Sequence, residues 1–348
     1  MRSRLALLGV IGLLALTTQA AFAANPPTAA FGGPVDGSQE VPPVVTAATG
    51  EATVVISADN STIWYVVKYS GLSGSLAAAH IHVGASGANG GVILPLVASA
   101  SPMVGSLTSS NFTPSGAITT FAEAVAAIKA GGTYVNLHTA ANPGGEVRGQ
   151  VVAKGSAHFG TLSGAQEVPP LALGGSGSAW VVVSTDGSTL TYYVSYAGLS
   201  GAAAAAHIHL GAAGANGGVL FPLAVGPSPF VGTLTAADLT PTGSVTDMPG
   251  AVAAIAAGGT YINVHTAANP GGELRAQLAV TVAAAPSVPP TSTPVTGDQL
   301  VVGSLPALLG LMAAVAVSSM LLPRRIRLAR KLVIVRRGLF GRPGADRD

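Results

Sequence analysis

Short runs of alternating apolar and polar residues, broken by Gly, Pro, Asn and Asp, set the pattern of this chain. Ala52–Ser57 and Thr62–Ser70 alternate, carry β-branched and aromatic residues, and flank Asp59-Asn60, which predicts two strands joined by a tight turn. Ala79–Val83, Gly91–Leu96, Val104–Thr108, Thr133–Thr139 and Glu146–Ala153 read as further short strands. Asn89-Gly90 is expected to turn through positive φ, which both residues tolerate. One short helix is predicted over Phe121–Ala130, opened by a Thr120/Glu123 capping box and stopped by Gly131.

The pattern then repeats. Gln39-Glu40-Val41-Pro42-Pro43 returns at Gln166–Pro170, Ala79-His80-Ile81-His82 at Ala206–His209, and Tyr134–Glu146 at Tyr261–Glu273, each shifted by 127 residues. A constant shift of this length implies duplication of one folding unit, each copy with its own core. The second copy places its helix at Ala251–Ala257. Seven or eight short strands per copy predict an all-β chain: two tandem antiparallel Greek-key-type β-sandwich domains over 31–153 and 158–281, each with one short helix.

Composition agrees and adds location. Gly and Pro supply 46 and 24 of 348 residues, and aromatics are only 5%, as many short strands and turns require. The chain has no Cys, so neither a disulfide nor a thiolate site is available. Its apparent basicity sits at the ends: nine of the 16 Lys and Arg fall at or after Arg324, and the segment 24–299 holds five basic against twelve acidic residues. A nucleic-acid partner is disfavoured by that acidic bulk. Residues 1–23 read as a signal peptide, with Arg2 and Arg4 before an apolar stretch and Ala21-Phe22-Ala23 at its end. Residues 300–322 are uncharged and long enough for a C-terminal transmembrane helix, and the basic tail 323–348 marks the cytoplasmic side. The expected location is the cell membrane, single-pass, with both domains outside on a Pro/Ser/Thr-rich linker at 282–299. Thr293-Pro294-Val295-Thr296-Gly297 resembles a sortase signal, so covalent attachment to a cell wall at Thr296 is the alternative.

Candidate chemistry lies in the histidines. His80 and His82 are two apart on a strand and therefore share a face, with Cα atoms about 7 Å apart. His138 sits on a later strand, and His207, His209 and His265 repeat the arrangement, which uses six of seven histidines and leaves only His158 aside. Three converging imidazoles suit copper or zinc and leave a coordination position open; the other reading is that they brace strand ends. Glu146 with Arg148, and Glu273 with Arg275, share a face and are expected to orient a histidine or to pair with each other. Glu40 and Glu167 are further ligand candidates, on a Gln-Glu-Val-Pro-Pro segment read as a sheet edge. No Ser/His/Asp arrangement stands out, and Gly84–Gly91 lacks the Lys and helix of a phosphate loop.

Taken together, Gln-Glu-Val-Pro-Pro, the Gly-Leu-Ser-Gly turns (71–74 and 198–201), Ala-His-Ile-His-x-Gly, Asn-Gly-Gly-Val and Tyr-x-Asn-x-His-Thr-x-x-Asn-Pro-Gly-Gly-Glu-x-Arg resemble the CHRD domain, first described in chordin. The resemblance implies an extracellular sandwich module without an established catalytic activity. A fainter similarity is to copper/zinc superoxide dismutase, at positions His80, His82, His138 and Arg148; the bridging histidine, zinc ligands and disulfide of that family have no counterparts. The expectation is a non-enzymatic surface binding, adhesion or structural protein with an unidentified extracellular ligand. The alternative is a copper- or zinc-dependent redox or hydrolytic surface enzyme.

Overall fold

A computed structural model describes residues 27–279, which form fifteen strands, two α-helices and four short 3-10 turns. The expected signal peptide, linker, membrane span, basic tail and sortase-like pentapeptide lie outside the described residues. Among the described residues no helix is long and apolar enough to cross a membrane.

The first repeat runs β1 (Pro27–Asp36), β2 (Thr49–Ser57), β3 (Ile63–Ser70), β4 (Leu76–Val83), β5 (Val92–Leu96), β6 (Met103–Leu107), α1 (Phe121–Lys129) and β7 (Thr133–Thr139), and ends in the first half of β8 (Val147–Ser163). All pairings are antiparallel, in the order β6-β3-β2-β1-β8-β7-β4-β5. β1 and β8 pair at both ends but not over residues 33–35, so the eight strands divide there into two sheets of four. The chain passes from one sheet to the other between β3 and β4, back before β6, and over again before β7, which is the expected Greek-key route. The second repeat uses the rest of β8, then β9 (Ser176–Ser184), β10 (Leu190–Ala197), β11 (Ala203–Leu210), β12 (Val219–Pro222), β13 (Phe230–Leu234), α2 (Met248–Ala256), β14 (Thr260–Thr266) and β15 (Leu274–Leu278).

Local sequence accounts for the smaller elements. Thr120 Oγ1 accepts from Glu123 N at 3.2 Å and Glu123 returns the bond to Thr120 N at 2.9 Å, which is the expected capping box of α1. The second helix is capped by Asp247 instead and begins at Met248, three residues before the predicted start. Asn60 takes the left-handed conformation, with φ 62°, as its turn requires. Asn89-Gly90 does not turn through positive φ. Gly90 is needed for closeness instead: a Cβ there would lie 1.6 Å from the Val83 carbonyl oxygen.

Each sandwich encloses its own core. Val54, Ile56, Ile63, Tyr65 and Val67 of one sheet meet Ile81, Ile93, Val135, Leu137 and Val151 of the other. Equivalent residues, among them Val181, Tyr192, Ile208 and Val264, fill the second repeat. A third core, unforeseen in the sequence pattern, lies between the repeats. Ala30, Val55, Trp64 and Val66 on the outward face of the first repeat pack against Ala157, Phe159, Trp180 and Val182 of the second. For this reason β2 and β3 are buried on both faces rather than alternating, and their near-continuous Val-Val-Ile and Ile-Trp-Tyr-Val-Val runs have this physical cause. β8 carries the junction. It closes the first sandwich, slips register beside Lys154, and opens the second. Gly155, with φ 154°, permits that slip, because a Cβ there would lie 1.7 Å from the Val183 carbonyl oxygen.

Candidate metal centre

Pleating places the six site histidines. In the β4–β7 pairing His80 lies opposite Asn136, His82 opposite Tyr134, and Ala78 opposite His138; Asn136 in turn lies opposite Arg148 on β8. Residues paired across strands share a face. His80, His82, Tyr134, Asn136, His138 and Arg148 therefore project together from the outer surface, while Ala79, Ile81, Val135 and Leu137 point into the core.

The expected convergence occurs in both repeats. His80, His82 and His138 each offer a ligand atom within 4.8 Å of the others, and so do His207, His209 and His265. His80 Nδ1 lies 3.2 Å from His138 Nε2, and His207 Nδ1 lies 3.0 Å from His265 Nε2. Hydrogen bonds fix the tautomers. His82 Nδ1 donates to the Gly90 carbonyl at 3.0 Å and His138 Nδ1 to the Pro143 carbonyl at 3.1 Å. A carbonyl only accepts, so each Nδ1 carries the proton and each Nε2 keeps its lone pair. The His82 Nε2 lone pair is buried with no partner, as is that of His209. Burial, then the neighbouring His138 and His82, pushes His80 down to about 4, and His207 is lowered to about 4 in the same way. Neutral imidazoles with inward lone pairs are the protonation state that metal binding needs. Nitrogens 3.0–3.2 Å apart can share one ion at the usual ~2.0–2.1 Å bond length. The residues present therefore fit a copper or zinc ion.

The surrounding shell differs from expectation. Glu146 and Arg148 are buried, with 0% and 1% exposure, and their hydrogen bonds go to groups other than the imidazoles. They do not pair with each other; the ion pair among the described residues is Lys154–Glu51. Glu146 instead accepts from Thr46 Oγ1, Ser73 N, Ser73 Oγ and Thr139 Oγ1 at 2.6–2.8 Å, tying the loops around the site to β7. Burial alone would raise its carboxyl, but these bonds outweigh it and hold the group at about 2. Glu273 is likewise held low by Ser200, Thr266 and Asn269. Arg148 acts through a residue the sequence reading had not singled out. Its guanidinium lies 3.4 Å from the centre of the Tyr134 ring, and Tyr134 stacks on His82 at 4.9 Å with 10° between the planes. Arg275, Tyr261 and His209 form the same stack, with 3.5 and 4.9 Å spacings. The alternation Tyr134-x-Asn136-x-His138 was the available signal, since it puts all three on one face.

The Gln-Glu-Val-Pro-Pro segment is not a sheet edge. Its first residues end a 3-10 turn after β1, and Glu40 folds in beside Asn136. Asn89 clips this loop to the rim, donating to the Val41 carbonyl at 2.6 Å. Glu40 and Glu167 are not among the converging ligand atoms. His158, left aside in the sequence, is buried on β8 opposite Val181 of β9 and belongs to neither cluster, with its Nε2 3.0 Å from Ser156 Oγ.

A family model for the CHRD domain matches residues 31–151 and 159–278. No curated protein and no solved structure matches the chain. The two matched segments coincide with the two sandwiches, each with its histidine cluster, and together cover more than half of the sequence: the chain belongs to the CHRD domain family, with two tandem copies.

Proposed function

We propose that each repeat holds one copper or zinc ion, through His80, His82 and His138 in the first and His207, His209 and His265 in the second. On this reading the chain is a non-enzymatic metal-binding module displayed outside the cell on the 300–322 anchor. The carrying observation is the buried, unpartnered Nε2 of His82 and of His209, each facing two further imidazoles. An unsatisfied buried polar atom costs about 1–3 kcal/mol, and unlike the orphan Nδ1 of His158, each of these faces two further imidazoles that one cation would engage with it. His80 would move its proton from Nδ1 to Nε2, and Tyr134 with Arg148 would hold the His82 ring in place. The CHRD resemblance supports an extracellular setting, and the apolar segments at 1–23 and 300–322 support export and anchoring.

The test is metal titration of the full-length protein after chelation, with Cu2+ and Zn2+ as separate probes. Two ions per chain are expected, one in His207→Ala, and none in the His80→Ala/His207→Ala double variant. Wild type that takes up neither metal would sink the proposal. The open coordination position left by three histidines is what favours the enzymatic alternative. A superoxide dismutation assay on the copper-loaded protein separates the two readings.

A further inference from the structure

Glu40 and Glu167 are buried groups that the three-histidine centre leaves unused. Each is 5% exposed and lies in the loop after the first strand of its repeat. Glu40 Oε1 has no hydrogen-bond partner, and neither has Asn136 Oδ1; the corresponding atoms of Glu167 and Asn263 are unpartnered as well. In each repeat the acid lies beside the asparagine. A Cβ built on Gly145 would lie 2.7 Å from Glu40 Oε1 and 2.5 Å from Asn136 Oδ1, and Asn263 Nδ2 reaches Glu167 Oε2 at 3.3 Å. An ionised carboxylate that keeps a buried oxygen without a partner costs free energy, and a proton on that oxygen removes the buried charge.

The charged group facing Glu40 is Arg148, on β8. It does not neutralise the carboxyl by contact. Its Nη2 donates to the Ala85 carbonyl and to Gln150, and its Nη1 to Asn89. From β7 the facing group is Asn136, and across from it on β4 stands His80. Burial, opposed by Arg148 and Asn136, raises the Glu40 carboxyl to about 7; burial raises Glu167 too, against Asn263 and Arg275. One amide side chain therefore separates each acid from the imidazole cluster.

We propose that Glu40 and Glu167 are neutral carboxylic acids in the metal-free protein, and that each ionises when the adjacent three-histidine centre takes up a divalent cation. The carboxyl O–H bond breaks, the proton passes to solvent, and the carboxylate supplies the negative charge that an all-imidazole ligand set lacks. This rests on the metal-binding reading above and assigns the residue that makes uptake proton-coupled.

The experiment uses full-length protein and Zn2+, which has no redox chemistry, in weakly buffered solution with a pH indicator. The comparison is Glu40→Gln/Glu167→Gln, whose amide matches the neutral acid in shape and cannot ionise. At pH 6 wild type should release more protons per bound Zn2+ than the variant, about one more at the Glu40 centre, and at pH 8 almost none more there. Between pH 8 and pH 6 the affinity of the Glu40 centre should fall about tenfold more in wild type than in the variant. Infrared spectroscopy of wild type alone should show a carboxylic-acid band at pH 6 that Zn2+ removes. Absence of that band from the metal-free protein, or equal proton release by wild type and variant, overturns this inference while leaving metal binding intact. Failure of wild type to bind Zn2+ overturns both.

Discussion

The two repeats share a centre but not its setting. The His–His contact is 3.2 Å in one and 3.0 Å in the other, and the bond to the glycine carbonyl is 3.0 Å in both. Counting 127 residues along from the packing positions gives a different picture. Phe31 of the first core is replaced by His158, Trp64 by Thr191, Thr53 by Trp180, and Thr46 by Leu173. The differences at Trp64 and Trp180 have a geometric reason. Equivalent faces of the two copies meet, and two large rings at matched positions would crowd the space that one fills. Each copy therefore contributes one tryptophan at its own position. Packing was free to diverge wherever a neighbour could compensate, whereas the imidazoles, the stacked tyrosine and the buried arginine recur with unchanged geometry.

The strongest way to break the comparison is at the shared face. Trp180 is 1% exposed, and Trp180→Ala should cost about 3–5 kcal/mol in urea unfolding. Because the interface and β8 join the repeats, wild type should unfold in one transition; two resolved transitions would show independent domains.

Next in size are the buried carboxylates. Glu146→Gln turns an NH2 donor toward donors that now meet an acceptor and should cost about 2–3 kcal/mol, with a similar loss for Glu273→Gln. The pH dependence follows from the depressed carboxyl. Glu146 titrates near 2 in the folded chain against an ordinary 4.5, so its stabilisation is present above 4.5 and is lost as pH falls toward 2. The melting temperature of Glu146→Gln should approach that of wild type over this window.

A smaller change restores the first repeat's packing in the second. His158 is 2% exposed and its Nδ1 is unpartnered. His158→Phe should stabilise by about 1–2 kcal/mol at neutral pH. Burial holds the folded-state pKa of His158 below the ordinary 6.5, so the unfolded chain binds the proton first and stability falls as pH drops below 6.5. The advantage of His158→Phe should therefore widen between pH 7 and pH 5, which thermal melts can follow. The smallest effect belongs to Thr46→Leu, which copies Leu173. It removes the 2.8 Å bond to Glu146 and should cost about 1 kcal/mol, leaving metal uptake unchanged.

Much of the site was legible because strand parity is a local rule. His80 and His82 had to share a face, and duplication singled out His138 as their partner. The helix was legible too, since a capping box lies within four residues. β1 was not: Gly32, Gly33 and Pro34 carry no strand propensity, and pairing with β2 and β8 supplies what they lack. The shell around the histidines was legible only in part: the Glu146–Arg148 pair does not form, while Arg148 reaches His82 through Tyr134. Parity placed them on the right face, but their partners come from residues up to a hundred positions away.

By itself the sequence determined two copies, their all-β Greek-key character and the six histidines that converge, because repetition and alternation are written along the chain. Tertiary structure alone decided that the copies share a strand and a third core, that Tyr134 stands between Arg148 and His82, and that Glu40 folds in beside Asn136. Those facts depend on which faces meet and which polar groups lose water, and neither is a property of any local segment.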